Sequence, residues 1–508
     1  MNKIILFILL ASYAISAQEN KSIHQSDNEY YSNNLQFVKS YITSKSLPVK
    51  KTSRNQILTK TVFGFLPWWE YLAGTHQNIR YDLLTHIAIS FFDTDGDGNI
   101  TDPPAWPWND LIDSARSNNI KLIMVVSNFQ SGQIHKLLTD QSSQQKLFNN
   151  ILQKIIVNSF DGVNVDFENL LSGDEGSVIN GFMKSLNNFI KSKYPLAEVS
   201  FDSPIVKSGS WDFKGLADAC DYLFIMGYDF YGSWSSTTGP SSPLIGNIYG
   251  LTYSFNNYYS SVPPQQLILG VPYYGNYWRT NSNDAYANVT PYDSTKAKNN
   301  WMKPALRYKE IISQYASNPS NENKWDSVSQ TPWLRWGQDT LWNQIWYDDG
   351  NSLALKYDLS FSKNLKGIGI WALGYDDARS ELWNLIEKKF AKTTSVDENV
   401  SSIPSRIELH QNYPNPFNPT TTIKYLIPNV ERDLSRSNQS ELKSALQVSL
   451  KVYDILGREV ATLVDKVQSA GIYSSTFSTL HSTLPSGIYI YSLNANGFIQ
   501  SKKMVLLR

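Results

Sequence analysis

The chain has 508 residues, beyond the ~250 to 300 at which a single hydrophobic core stops growing, so two or more domains are expected. Its 45 Lys and Arg balance 45 Asp and Glu, which excludes the clustered positive excess that a nucleic-acid groove or an anionic membrane surface requires. Six scattered His without HExxH, a single Cys, and the lack of GxSxG and GxxxxGK[ST] leave no zinc site, disulfide framework, hydrolase elbow or phosphate loop to read, so neither metal nor cofactor is expected.

The N-terminus MNKIILFILLASYAISAQEN carries one Lys, an apolar run from Ile4 to Leu10, and Ala14, Ser16 and Ala17 before Gln18, which reads as a secretory signal peptide over 1–17. No later segment approaches ~20 uninterrupted apolar residues, so a soluble, monomeric mature protein without a membrane span is expected. Residues 18–60, rich in Ser, Asn, Gln and Lys, read as a linker or loosely docked arm. Eight apolar strand candidates then follow: 61–69, 86–92, 121–127, 160–168, 198–204, 222–229, 267–275 and 367–375. Between many of them lie helical periods such as Leu147, Phe148, Ile151, Leu152, Ile155, Ile156 and Ile179, Phe182, Met183, Leu186, Phe189, Ile190. Alternating β and α units with strands too apolar for a one-sided sheet predict a (β/α)8 TIM barrel over 61–390, with an open doubly wound sheet as the alternative. The stretch 276–366 is too long for a loop and reads as a small α+β insertion. All 15 Trp lie between 68 and 383, which fits a site that stacks flat ligands. Cys220 leads into an apolar strand and reads as a buried small hydrophobe. After a linker at 391–405, period-two segments separated by Gly, Asn and Ser turns predict a small all-β sandwich over 406–508, with a polar insertion at 429–446.

Two motifs need a chemical account. DTDGDGNI (93–100) offers oxygens at the spacing of a calcium loop, but position 12 is Pro104 and a strand precedes it, so a calcium site and a tight Asp-Gly turn both stay open. DGVNVDFE (161–168) alternates Val163, Val165 and Phe167 with Asn164, Asp166 and Glu168 on the opposite face of one strand. Three polar residues in file are costly to bury unless paired or used. In a barrel that file faces the interior, and Glu168 stands at the C-terminal end where such folds build their clefts. Asp161, out of phase, caps or supports the strand.

At this point the resemblance is specific. Asp161-Gly162-Val163-Asn164-Val165-Asp166-Phe167-Glu168 resembles the DGxDxDxE signature of glycoside hydrolase family 18, the chitinase family. Met226-Gly227-Tyr228-Asp229 resembles its sixth-strand MxYD, Gly270-Val271-Pro272-Tyr273-Tyr274-Gly275 its seventh-strand motif, and Gly367-Ile368-Gly369-Ile370-Trp371-Ala372 the eighth strand with its substrate-floor Trp. The resemblance implies a retaining, substrate-assisted glycosidase acting on chitin or another N-acetylglucosamine glycan, one of the exceptions to the two-carboxylate rule. It implies Glu168 as general acid and base, Asp166 as orienter of the acetamido N–H, and Tyr228 as holder of the acetamido oxygen. Asp229, Met226, Trp371, Trp234, Asn164, Tyr274 and Trp68 would contact the substrate, with Asp161 and Gly162 in support. Two departures stand out. Asn164 replaces the first Asp of DxDxE, which points to an Asp166 that stays ionised, and KLIMVVSNF stands where the third-strand SxGG is expected. Asn at that position also occurs in relatives acting on peptidoglycan. The alternatives are therefore a peptidoglycan N-acetylglucosaminidase and a non-catalytic lectin on the same barrel.

The C-terminal segment resembles the type A sorting domain of type IX secretion, through Gln411-Asn412-Tyr413-Pro414-Asn415-Pro416-Phe417-Asn418-Pro419, Val452-Tyr453-Asp454-Ile455-Leu456-Gly457-Arg458 and Leu484-Pro485-Ser486-Gly487-Ile488-Tyr489. That implies the type IX machinery as a partner and a secreted or cell-surface location.

Overall fold

The computed structural model describes residues 21–35, 57–246, 249–290, 305–339, 341–377, 379–392, 407–412, 414–427, 445–469, 471–479 and 484–507. The signal peptide expected at 1–17, most of the linker expected at 391–405 and nearly all of the polar insertion expected at 429–446 lie outside them. The chain divides into two compact units, Met1–Lys392 and Thr393–Arg508.

In the first unit eight parallel strands close on themselves. They are β1 (Thr61–Pro67), β2 (His86–Thr94), β3 (Lys121–Asn128), β4 (Gly162–Phe167), β5 (Glu198–Pro204), β6 (Tyr222–Met226), β7 (Leu267–Pro272) and β8 (Gly367–Trp371). Each pairs with its chain neighbours, and β1 pairs with both β8 and β2, which closes the barrel. The open-sheet alternative is thereby excluded. All eight are apolar and nearly wholly buried, as strands covered on both faces must be. The barrel interior is filled by rings: Phe224 packs edge-on against Phe65 with centroids 4.8 Å apart and tilts against Phe63. Gly270 and Gly369, on the next two strands round the barrel, make room for it, since a Cβ at Gly369 would lie 2.1 Å from the Phe224 ring.

The outer helices bury the stripe their period predicts. In Gln141–Asn158, Leu147, Phe148, Ile151 and Ile155 face the sheet, and Asp140 caps the start by accepting from the Ser143 N–H. Ile156, expected in that stripe, is instead 57% exposed, one residue beyond the face that the 3.6-residue period turns inward. Helix Ser177–Lys193 buries Ile179, Phe182, Met183, Leu186 and Ile190. Cys220 is buried.

The insertion is a five-stranded antiparallel sheet in the order Leu306–Arg307, Tyr274–Thr280, Leu341–Tyr347, Thr331–Gln338, Glu322–Asp326. It begins at Tyr274, two residues before the expected boundary, because the chain leaves β7 at Pro272 and pairs at once with the lobe. Helix Gly350–Ser362, inside the expected insertion, packs on β7 and β8 as part of the barrel wall. Trp333 and Trp346 stack 5.1 Å apart and with Trp278 form the lobe's own core, so much of the Trp cluster is packing and not ligand surface.

DTDGDGNI forms a tight turn. The Asp95 carboxylate accepts from the Asp97 and Asn99 N–H groups and from the Asn99 amide, while Gly98 takes a positive φ of 77°. Those bonds occupy the Asp95 carboxylate, the middle one of the three acids that the calcium-loop spacing offers.

In the second unit a three-stranded sheet (Glu408–Leu409, Thr420–Ile427, Gly471–Ser478) and a four-stranded one (Ala445–Tyr453, Glu459–Ser469, Gly487–Ala495, Phe498–Leu506) share one core, in which Ile423 and Tyr425 meet Val448, Leu450, Tyr491 and Leu493. Among the described residues no helix is long and apolar enough to cross a membrane.

The segment expected to be a linker or loose arm contains helix α1 (Ile23–Asn33), and this helix sits at the C-terminal mouth of the barrel.

Candidate active site

Asp161 holds the base of β4. Its Oδ2 accepts from the Leu122 N–H at 2.7 Å and from Arg116 at 2.6 Å, bonds that tie β3 and the helix before it to the start of β4. Gly162 follows because a Cβ there would lie 2.2 Å from the Glu198 carbonyl oxygen. From that fixed start the alternation carries Asn164, Asp166 and Glu168 up the inner face. Asn164 is buried and donates to Asp202 Oδ1 at 2.8 Å and Ser200 Oγ at 3.1 Å on β5. Asp166 is fully buried above it, and Glu168 stands beside it just past the strand end, one-tenth exposed.

Beyond β6 the chain turns through Tyr228 and Asp229, the latter with φ 61°, so that both side chains point into the mouth. Asp229 accepts from the Tyr274 hydroxyl at 2.5 Å, and its N–H donates to Ser241 Oγ at 3.0 Å. Trp371 ends β8 as the buried aromatic floor, and Trp68 follows β1 on the rim. Met226 is half-buried at the end of β6. Trp234, half-buried on the loop after β6, folds over Gly232, and no bond or ring contact joins it to this group among the described residues.

The centre of the site is filled by a side chain the sequence reading did not anticipate. His24 of α1 lies stacked on Trp371, centroids 3.8 Å apart and planes 30° from parallel. Its Nδ1 is 2.9 Å from Asp166 Oδ2 and its Nε2 2.8 Å from the Tyr228 hydroxyl. Ser22 donates its hydroxyl to Glu168 Oε1 at 2.8 Å, and the Ile23 N–H donates to Asp229 Oδ2 at 2.8 Å. Further along, Asp27 accepts from the Tyr375 hydroxyl at 2.6 Å, and Asn28 accepts from the Trp68 indole N–H at 3.0 Å. The signal that could have found the helix is Ser22-x-x-Gln25, an N-terminal capping pattern. In the structure the Ser22 hydroxyl accepts from the Gln25 N–H.

Burial sets the protonation states. It pushes Glu168 up to about 8, helped by the neighbouring Asp166 charge, and it raises Asp166 as well. Burial lowers His24 and holds Tyr228 firmly as a phenol. Among the described residues, one oxygen each of Asp166 and Glu168 and one nitrogen of His24 lie within 4.8 Å of one another, the spacing of a metal-ligand group. Within it His24 and Asp166 are hydrogen-bonded at 2.9 Å, and His24 Nδ1 stands 3.6 Å from Glu168 Oε1. An open concavity of about 460 Å³ lies elsewhere, on the insertion lobe beside Tyr315 and Trp336, and it is lined by no acid or base.

Residues 60–376 match the family model described as Glycosyl hydrolases family 18, and residues 411–507 match that of a Secretion system C-terminal sorting domain. Human di-N-acetylchitobiase is 29% identical over 253 residues, 45% of this chain and 64% of that protein, so the chain spans less than two thirds of its length. A cortical fragment-lytic enzyme of Bacillus anthracis is 23% identical over 340 residues, 65% of this chain and 73% of that one. Among solved structures, the Group IV chitinase of Ostrinia furnacalis in complex with allosamidin is similar in fold, with a TM-score of 0.57 at 22% identity over 65% of this chain and 98% of that one.

Proposed function

Because the chain belongs to glycosyl hydrolase family 18, we propose that it hydrolyses β-1,4 bonds of N-acetylglucosamine glycans with retention of configuration, using the substrate's own acetamido group as nucleophile. The observation that carries this reading is the spacing of Asp166 and Tyr228. The two face opposite edges of one flat ring, at 2.9 and 2.8 Å, directly over an aromatic floor. An acceptor and a donor set that far apart suit an acetamido group, whose N–H and carbonyl oxygen also lie on opposite edges. The N–H donates to Asp166 and the carbonyl oxygen accepts from Tyr228, which turns that oxygen toward C1 of the sugar stacked on Trp371. Glu168 protonates the departing oxygen and then takes a proton from water. Asp229, held by Tyr274, accepts from a sugar hydroxyl.

A general acid must carry its proton at working pH, and the burial of Glu168 supplies that. The acid form exists below its pKa and is lost above it, so kcat/KM should fall as pH rises through about 8. A pH–rate profile checks this, and an alkaline limb well below that value would argue against Glu168 as the acid.

The sorting domain implies delivery to the cell surface or outside the cell. We assign export to the signal peptide and the type IX machinery. The test of substrate is mass spectrometry of products from N-acetylglucosamine oligomers and, separately, from peptidoglycan, the two readings that Asn164 leaves in play. Oligomer cleavage is expected; release of peptidoglycan fragments alone would move the substrate to the cell wall.

A further inference from the structure

We propose that Ser22–Tyr31 is an autoinhibitory segment, a tethered competitor that occupies the sugar site and must leave before glycan binds; the inference rests on the acetamido reading above. Its contacts fall on the groups assigned to catalysis and binding. Ser22 covers Glu168, the Ile23 N–H covers Asp229, His24 covers Asp166, Tyr228 and Trp371, and Asn28 covers Trp68.

The chemistry of the occupant matches that of the proposed substrate. A neutral imidazole is a flat ring with one N–H and one lone pair on opposite edges. In the tautomer with the proton on Nδ1, His24 accepts from the Tyr228 phenol at Nε2 and donates to Asp166 from Nδ1. Those are the two bonds assigned to the acetamido carbonyl and N–H. Stacking on Trp371 takes the place of the sugar face, and the Ser22 hydroxyl meets Glu168 where the leaving oxygen would stand.

A merely structural arm would bury apolar surface. The buried residues of α1 are Ile23, His24, Gln25, Asp27 and Tyr31, three of them polar, and such burial is costly unless each group is paired. Here the partners come from the site: Tyr228 and Asp166 for His24, Asn169 for Gln25, Tyr375 for Asp27. Tyr31 completes the anchor by stacking on Trp69 at 4.9 Å beneath the Arg307 guanidinium.

Covalent attachment makes such a plug effective. A tethered ligand acts at an effective concentration on the order of millimolar, so even a weak intrinsic fit lowers the apparent affinity for substrate about tenfold or more. His24→Glu places a further carboxylate against Asp166, Glu168 and Asp229 and should eject the helix without altering any of them.

The experiment uses residues 18–508 with and without His24→Glu and, as probe, the N-acetylglucosamine hexamer. Calorimetry should show at least about tenfold tighter binding in the variant, with a matching rise in kcat/KM. Hydrogen exchange supplies a second readout on the unmutated chain: amides of Ile23–Asn33 should be protected alone and lose protection when the hexamer saturates the site. Equal affinity in the two chains, or undiminished protection of Ile23–Asn33 in the saturated chain, would overturn the proposal. If the variant releases the helix by exchange yet binds and cleaves no oligomer, occlusion stands and the glycan reading fails.

Discussion

Replacing Glu168 by Gln should lower kcat roughly 10²- to 10⁴-fold, the usual weight of a positioned general acid and base, while binding of an N-acetylglucosamine oligomer persists. The amide keeps the shape of the carboxyl and its place beside Asp166 but has no proton to give to a departing oxygen. Because Ser22 and His24 crowd that same carboxyl, the comparison belongs in both the unaltered chain and the His24→Glu background. In the open background the full loss is visible against a high baseline. Unchanged turnover there would remove Glu168 from the reaction. A parallel loss of binding would mean that the carboxylate serves to hold the sugar and not to move a proton. The lectin alternative predicts something different again, namely no turnover in either chain and unchanged affinity.

The parts of this site written as local periodicity could be read directly from the sequence. The alternation across β4 placed Asn164, Asp166 and Glu168 on one face because a strand has a strict period of two, and burial on both sides of a barrel strand leaves only one direction for that face. Tyr228 and Trp371 were legible through the resemblance of their motifs to family 18, and the structure stands them at or just past strand ends. Helix α1 was not. Its composition, IHQSDNEYYSN, offers few apolar residues, so neither a hydrophobic stripe nor propensity marks it, and the partners that stabilise it are up to 348 positions away in the chain. His24 looked like one scattered His among six because its meaning lies in Asp166 and Tyr228, which are distant in sequence. The same holds for Asp202, whose bond to Asn164 needs two strands brought side by side; Tyr274 was named from its motif, but not its place on the insertion's first strand with its hydroxyl on Asp229.

The nucleophile gives the other large effect. If it is the carbonyl oxygen of the substrate's own acetamido group, fully deacetylated chitosan should not be cleaved even by the His24→Glu chain. An ammonium can neither attack C1 nor accept the hydrogen bond from Tyr228, and it leaves Asp166 with no amide to orient. Binding can survive the loss, because stacking on Trp371 needs only the face of the sugar ring. The stereochemistry follows from the same step: internal attack inverts C1 once and water inverts it again, so an acetylated oligomer should release the β-anomer first. Proton NMR within seconds of mixing, ahead of mutarotation, reads the anomer. The alternative is a conventional pair in which Asp166 or Glu168 itself acts on C1 or on water, with separations characteristic of each outcome. Asp166 is poorly placed for that role, since it lies fully buried below Glu168 with one oxygen turned to the same position that His24 Nδ1 now fills. A first-formed α-product, or rapid cleavage of the deacetylated polymer, would nonetheless assign the work to the two carboxyls and withdraw it from the acetamido group.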